Sequence, residues 1–148
     1  MNANQEMLDP IVLHQTPNSR IYWYDSEQTI LINEVTGRWN WEEAYDAIKT
    51  LNSTVRESDH SVYSIHWFRS AAYTSPQGMA LRNLRNLIQD DPPNEKMVFF
   101  VGTNGIFQGL VNAVIRAYKF TGLTSKYYFM KTLDDALRII TQDRQNIV

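Results

Sequence analysis

The sequence predicts a single-domain α/β protein with a mostly parallel mixed sheet and helices packed against it. Its most apolar segments are short and rich in β-branched or aromatic residues, as in VYSIHWF at 62–68 and MVFFV at 97–101, which is typical of buried strands. The segments between them repeat apolar residues at helical spacing and begin at capping residues. Because strands and helices alternate after an opening pair of strands, we expect the order β-β-α-β-α-β-α-β-α.

The first third of the chain predicts a β-hairpin and an amphipathic helix. Two segments rich in β-branched and aromatic residues, 20–24 and 29–35, flank a polar DSEQ turn, which is the pattern of a hairpin. Asn40 then begins a helix that runs to about residue 56. Glu43 follows Asn40 at the spacing of a capping box.

The remaining elements follow as strand, loop and helix. After the central strand, a helix opens on Ser75–Pro76, because serine is a good N-cap and proline is tolerated in the first helical turn. A third helix is expected over 106–120, and a short strand over 126–130. Thr132, with Asp135 three residues later, caps the last helix.

Length and composition indicate one soluble domain, 20–148, that follows a flexible polar arm, 1–19. The chain has 148 residues, no cysteine and no apolar run long enough to span a membrane. Its first residues have neither the basic start nor the apolar core of a secretory signal. We therefore expect a cytoplasmic protein without disulfides, thiolate metal sites or a membrane span.

The net charge of −2 hides an asymmetry between the two parts of the chain. Residues 1–60 hold 4 basic against 10 acidic side chains, whereas residues 61–148 hold 10 against 6. Such polarity can orient a protein partner, although a chance distribution over solvated surfaces explains it equally. A positive charge spread over several helices is too dilute for nucleic-acid binding.

Several features together resemble the STAS and SpoIIAA-like superfamily. They are the opening hairpin, the glycine after its second strand in Val35-Thr36-Gly37, and a closing strand followed by KTLDDAL. The resemblance covers about residues 20–141. It implies a SpoIIAA/STAS-like fold and a non-enzymatic regulatory domain, in which the loop and helix after the third strand dock onto a protein partner.

The anti-sigma-factor antagonists of this superfamily carry a phosphorylatable Ser or Thr at the start of that helix. Their pattern is close to Asp-Ser-Ser/Thr-Gly-Leu. Gly78-Met79 match the Gly-Leu, but the hydroxyl positions hold Pro76 and Gln77, with Thr74 and Ser75 just before them. This departure argues against a simple phospho-switch.

Three places remain candidates for chemistry, each with a structural alternative. Thr74 and Ser75 fit a phosphorylation or anion site at a helix N-terminus, or Ser75 is only an N-cap. His66 acts as a base or binds an anion, or it is a hydrogen-bonded core residue. The segment Gly102–Gly105 cradles a phosphate, although it lacks the Lys-Ser/Thr of a P-loop, or it is a tight strand-to-helix turn.

These features leave three hypotheses about function. The first is the interaction domain, which could form a homodimer by pairing the edge strand of its hairpin. The second is a module for a small anionic or amphipathic ligand, held between Trp67–Ser75 and Gly102–Gly105. The third is an enzyme, which is disfavoured because no nucleophile–base–orienter set is visible. We expect no cofactor and no metal. The expected ligand or partner contacts are His66, Trp67, Arg69, Tyr73, Gly78, Arg82, Arg85, Gly102, Thr103, Asn104 and Gly105.

Overall fold

The structure is a computed structural model that describes residues 11–69, 80–117 and 126–146. These residues form six strands and four helices. The strands are β1 (Val12–Thr16), β2 (Ser19–Trp23), β3 (Ile30–Val35), β4 (Val62–Phe68), β5 (Glu95–Val101) and β6 (Tyr127–Met130). The helices are α1 (Trp41–Glu57), α2 (Ala80–Gln89), α3 (Gly105–Ala117) and α4 (Leu133–Gln145).

The six strands form one sheet in the order β1 to β6. The β1–β2 and β2–β3 pairs are antiparallel, whereas the β3–β4, β4–β5 and β5–β6 pairs are parallel. The parallel connections contain α1, α2 and α3 in turn. Because crossovers have one hand, a strand order that advances in one direction keeps these helices on one face. The predicted α/β class and mixed, mostly parallel sheet are confirmed.

Different helices cover the two faces of the sheet. Alternate residues of each strand point to opposite faces, and Val35 and Phe68 pack with residues of α2 and α3. We call this side, where α1 also packs, the three-helix face. Ile65 and Phe99 lie on the opposite side and pack with Ile140 of α4. We call that side the α4 face.

The caps predicted at Asn40 and Thr132 and the predicted hairpin turn are confirmed. Asn40 Oδ1 accepts a hydrogen bond of 2.8 Å from the backbone N–H of Glu43, and Thr132 Oγ1 accepts one of 3.1 Å from that of Asp135. Both bonds satisfy N–H groups that a helix leaves unpaired at its start. In the hairpin, the carboxylate of Asp25 accepts from the backbone N–H groups of the two residues that follow the turn.

The flexible arm predicted over 1–19 is wrong for its last part, because Val12–Thr16 form β1. This edge strand pairs with β2 through its backbone, and its side chains Val12 and Leu13 remain 40% and 38% exposed. A strand held by its backbone with little burial leaves no apolar alternation in the sequence. Residues 1–10 lie outside the described residues.

Other boundaries differ by small shifts. β5 begins at Glu95 rather than at the predicted Met97, and the helix start predicted at Ser75–Pro76 lies outside the described residues. None of the helices in the described ranges has the length and apolar character needed to cross a membrane.

Candidate functional site

A cavity lies between the three-helix face of the sheet and helices α1 and α2. Its volume is about 100 Å³, or about 860 Å³ when all the space up to its open side is counted. Most of its wall is apolar, which is usual for small-molecule sites. The aliphatic residues that line it are Val35, Ala47, Ile48, Leu51, Leu84, Leu87, Ile88 and Val98.

Aromatic rings form a large part of the remaining wall. The rings of Trp39 and Trp41 meet edge to face with centroids 5.1 Å apart. Phe107 lies 5.6 Å from both Phe68 and Phe100. Such a wall suits a ligand with a flat or apolar body, because ring faces and edges pack against it favourably.

A polar pair, Asn33 and His66, lies in the sheet wall of this cavity. The parallel register of β3 and β4 places the two residues side by side, and Asn33 Nδ2 donates to His66 Nδ1 at 3.2 Å. Burial lowers the pKa of His66 to about 4, so the ring is neutral at pH 7. Because Nδ1 accepts, the ring proton lies on Nε2 and makes that atom a donor.

Several buried polar atoms around the cavity have no hydrogen-bond partner within the described residues. They include Oδ1 of Asn33, Nε1 of Trp41, the hydroxyl of Tyr127, Oδ2 of Asp91 and Oε1 of Glu95. Leaving a buried polar group unpaired costs about 1–3 kcal/mol. Such atoms are therefore expected to bond with a ligand or an ordered water.

Two acidic side chains, Asp91 and Glu95, also line the cavity. Lys126 Nζ lies 3.8 Å from Asp91 Oδ2 and 3.5 Å from Glu95 Oε1, and Ser64 Oγ donates to Glu95 Oε2 at 2.6 Å. Burial raises the pKa of Glu95. Burial, with the nearby charge of Glu95, raises the pKa of Asp91 to about 8. At pH 7 the carboxyl group of Asp91 therefore holds its proton.

The groups around His66 determine which contacts the cavity can make. Among the described residues, the hydrogen-bond partner of the His66 ring is an amide and not a carboxylate, so no base–orienter pair is assembled there. Those residues also contain no cluster of three or more His, Asp or Glu that could hold a metal ion. What the cavity offers is an aromatic wall together with separate donors and acceptors.

The predicted residues Trp67 and Arg69 do not share this cavity with His66. Trp67 follows His66 in β4 and packs on the α4 face, where the guanidinium of Arg69 lies 4.6 Å from its ring centroid. Arg69 and Arg20 also form ion pairs with the buried carboxylate of Glu34. These contacts make Arg69 part of a structural ion-pair network on the opposite side of the sheet.

The segment Gly102–Gly105 forms the turn from β5 into α3. Gly102 has a φ of +80°, and a Cβ there would clash with the carbonyl oxygen of Phe68, so the position requires glycine. Asn104 Oδ1 accepts a 2.9 Å bond from the backbone N–H three residues later and caps α3. Thr103 completes the turn, and these contacts explain the segment structurally. A phosphate at this turn stays a prediction.

Arg82 and Arg85 are exposed on α2, as predicted. Four other predicted site residues lie outside the described residues and stay predictions: Tyr73, Thr74, Ser75 and Gly78.

The sequence pointed to His66 but not to most of the residues around it. Asn33 carried a usable signal, since it is a polar residue that alternates with the buried isoleucines of β3. Trp41 and Tyr127 resemble ordinary core aromatics in the sequence. Asp91 and Glu95 belong to a polar DDPPNE segment, and nothing local indicates that they are buried.

No protein-family model matches the sequence, and no curated protein sequence matches it. The function is therefore inferred from the geometry of the cavity.

Proposed function

We propose that the protein is a non-enzymatic binding module that holds a small amphipathic ligand in the cavity between the sheet and helices α1 and α2. The observation that supports this most is the combination, in one cavity, of aromatic walls and buried polar atoms that have no hydrogen-bond partner among the described residues. The sequence predicted a ligand module at the strand-to-helix loops, and the site proposed here lies deeper, on the three-helix face.

The polar atoms suggest how such a ligand would be oriented. Its apolar body would pack against the indole rings of Trp39 and Trp41. Its polar group would meet Asn33 Oδ1, which accepts a hydrogen bond, and His66 Nε2, which donates one. A few placed polar groups in an apolar pocket are what fixes orientation in small-molecule sites.

Indole N–H signals of ¹⁵N-labelled protein test this proposal. The chain has 4 tryptophans; Trp39 and Trp41 line the cavity, whereas Trp23 and Trp67 do not. We expect benzyl alcohol, a neutral aromatic probe, to shift the Trp39 and Trp41 signals in a saturable way. The signals of Trp23 and Trp67 serve as internal controls and should stay in place.

A cavity-filling variant completes the test. Ala44 lines the cavity, and Ala44→Phe should abolish the saturable shifts while the Trp67 signal confirms that the sheet is intact. Shifts that are equal in Ala44→Phe, or that affect Trp67 as much as Trp41, would place the probe elsewhere and contradict the proposal.

A second candidate function is the interaction domain that the resemblance implies. It is supported by Arg82 and Arg85, which are exposed on α2 and form no ion pair with any described residue. We propose that they and the segment before α2 dock onto an acidic protein surface. The SpoIIAA-like fold type is part of this proposal, supported by the antiparallel start and the three helix crossovers.

Charge reversal tests the docking surface. A partner captured from lysate of the native host by the wild type should be lost with Arg82→Glu/Arg85→Glu and retained with Arg116→Glu, a reversal at an exposed arginine of α3. Equal loss with both variants would mean that capture depends on net charge only. A homodimer also stays a prediction, but the hairpin strand expected at its edge is covered, because β2 pairs with β1 and the sheet ends at β1 and β6.

A further inference from the structure

The acidic end of the cavity has an unbalanced set of charges. The ammonium of Lys126 faces two carboxylates, those of Asp91 and Glu95, whose side chains are 14% and 2% exposed. The neighbouring charges balance each other, because Arg56 and Asp90 form their own ion pair at 3.1 Å. Counted over the described residues, the cluster therefore lacks one positive charge when both carboxylates are ionised.

The same cavity contains more hydrogen-bond acceptors than the described residues satisfy. Asp91 Oδ2 and Glu95 Oε1 are buried without a hydrogen bond, and so is Oδ1 of Asn33, a residue 5% exposed. All three side chains line the cavity. The ring faces of its aromatic wall also attract cations. A group that brings positive charge and several N–H donors would satisfy the two carboxylate oxygens.

We propose that the ligand of this cavity is an aromatic or apolar primary amine whose ammonium group binds between Asp91 and Glu95. This inference rests on the proposed binding function and names its ligand class. On binding, the ammonium takes the place of the proton that Asp91 holds, and that proton passes to solvent. The O–H bond of the carboxyl is the only bond broken, and the charge of the cluster stays balanced.

Three matched probes test the inference: benzylamine, benzyl alcohol and benzoate. They share one ring and differ in the charge of the polar group. With the Trp41 indole signal as readout, we expect benzylamine to bind about tenfold more tightly than benzyl alcohol, as for a charge-assisted bond in a buried site. Benzoate should bind most weakly, because it would bring a third negative charge.

Isosteric variants identify the residue that causes the preference for the amine. Asp91→Asn should reduce benzylamine binding about tenfold, to the level of benzyl alcohol, and leave benzyl alcohol unchanged. The matched control is Asp90→Asn, since Asp90 is paired with Arg56 and does not line the cavity. It should change neither affinity more than about twofold.

The pH dependence gives a test that needs no variant. Because the amine replaces a proton, its affinity for the wild-type protein should rise several-fold between pH 6.5 and 8, while that of benzyl alcohol stays constant. If the amine affinity does not change with pH, or if Asp91→Asn keeps the amine preference, the inference is wrong and the binding module remains. If none of the three probes shifts Trp39 and Trp41, the proposed function fails as well.

Discussion

Gly102, which follows β5, allows the ends of β4 and β5 to lie close together. Its φ of +80° lies in the region that side chains with a Cβ rarely adopt. The clash that a Cβ would make is with the backbone carbonyl of Phe68, which cannot rotate away as a flexible side chain could. Two separate penalties, backbone strain and a steric clash, therefore apply at this position.

We expect Gly102→Ala to lower the free energy of unfolding by about 1–3 kcal/mol, which is the cost of a strained backbone position. The measurement is urea unfolding monitored by tryptophan fluorescence. Gly109→Ala is the matched control, because a methyl group at that exposed helical glycine would have no described atom within 4 Å and should add about 0.5–1 kcal/mol through its helix propensity. Equal effects of the two changes would contradict the role of Gly102.

Among the elements, α4 depends on a polar contact at its far end as well as on its apolar face. The hydroxyl of Tyr63 in β4 donates to Asp143 at 2.6 Å, and Lys96 of β5 lies 2.7 Å from the same carboxylate. These hydrogen bonds lower the pKa of Asp143. Burial, together with the bond to Asp143, raises the pKa of Tyr63 to about 12. The last turn of α4 is thus attached to two neighbouring strands.

We expect Tyr63→Phe to destabilise the protein by about 1–2 kcal/mol, the range for a hydrogen bond to a charged acceptor. Amide hydrogen exchange should increase in the last turn of α4 and much less in α1. Tyr128→Phe provides the control, since Tyr128 packs on the same face and its hydroxyl makes no hydrogen bond within the described residues. Uniform loss of protection in both helices would argue that the contact is not local.

Elements that are specified by local signals could be predicted from the sequence, whereas features that depend on contacts distant in sequence could not. The β-branched composition of β3 and the caps Asn40 and Thr132 are local signals, and the structure confirms the elements they predict. The face on which His66 lies follows from the alternation of side chains along a strand, but its pairing with Asn33 depends on the register of β3 and β4, which no local pattern encodes. β1 was missed because its backbone pairing leaves little trace in side-chain composition.

At the scale of the whole molecule, the cavity results from residues that are distant in sequence. β3 supplies Asn33, β4 supplies His66, β6 supplies Tyr127, and α1 closes the space over them with Trp41. The sequence predicts each of these elements, yet their convergence depends on the strand order. Fold class was therefore accessible from the sequence, whereas the site required the assembled sheet.

The same assembly makes the stability of the molecule depend on pH through two opposing groups. The pKa of His66 is about 4 in the folded protein against 6.5 for a free side chain, so acidification from 6.5 to 4 favours the unfolded chain, which alone takes up the proton. The pKa of Asp91 is about 8 in the folded protein against 3.8. Between these values only the folded protein holds that proton, so stability falls as pH rises through this window.

The effects of His66 and Asp91 on stability oppose each other in the pH range where both act. Outside that range one of them acts without the other. Each contributes about 1.4 kcal/mol per pH unit. Between pH 4 and 6.5 the slopes oppose each other, and between 6.5 and 8 the Asp91 effect is the one of these two that remains, about 2 kcal/mol in total. Relative to the wild type, Asp91→Asn should therefore become more stable as pH rises from 4 to 8. His66→Gln keeps an amide beside Asn33. Its stability relative to the wild type should fall as pH rises from 4 to 6.5, and above pH 6.5 the two stability curves should run parallel.

Urea unfolding at pH 4.5, 6.5 and 8 measures these differences directly. Glu27→Gln is the control, because Glu27 is an exposed acid in the hairpin turn, and its curve should stay parallel to that of the wild type throughout. If Asp91→Asn also runs parallel to the wild type, Asp91 does not hold a proton in the folded protein. The charge imbalance beside Lys126 would then be relieved by another group, and burial, which raises the pKa of Glu95, makes Glu95 the group to test next.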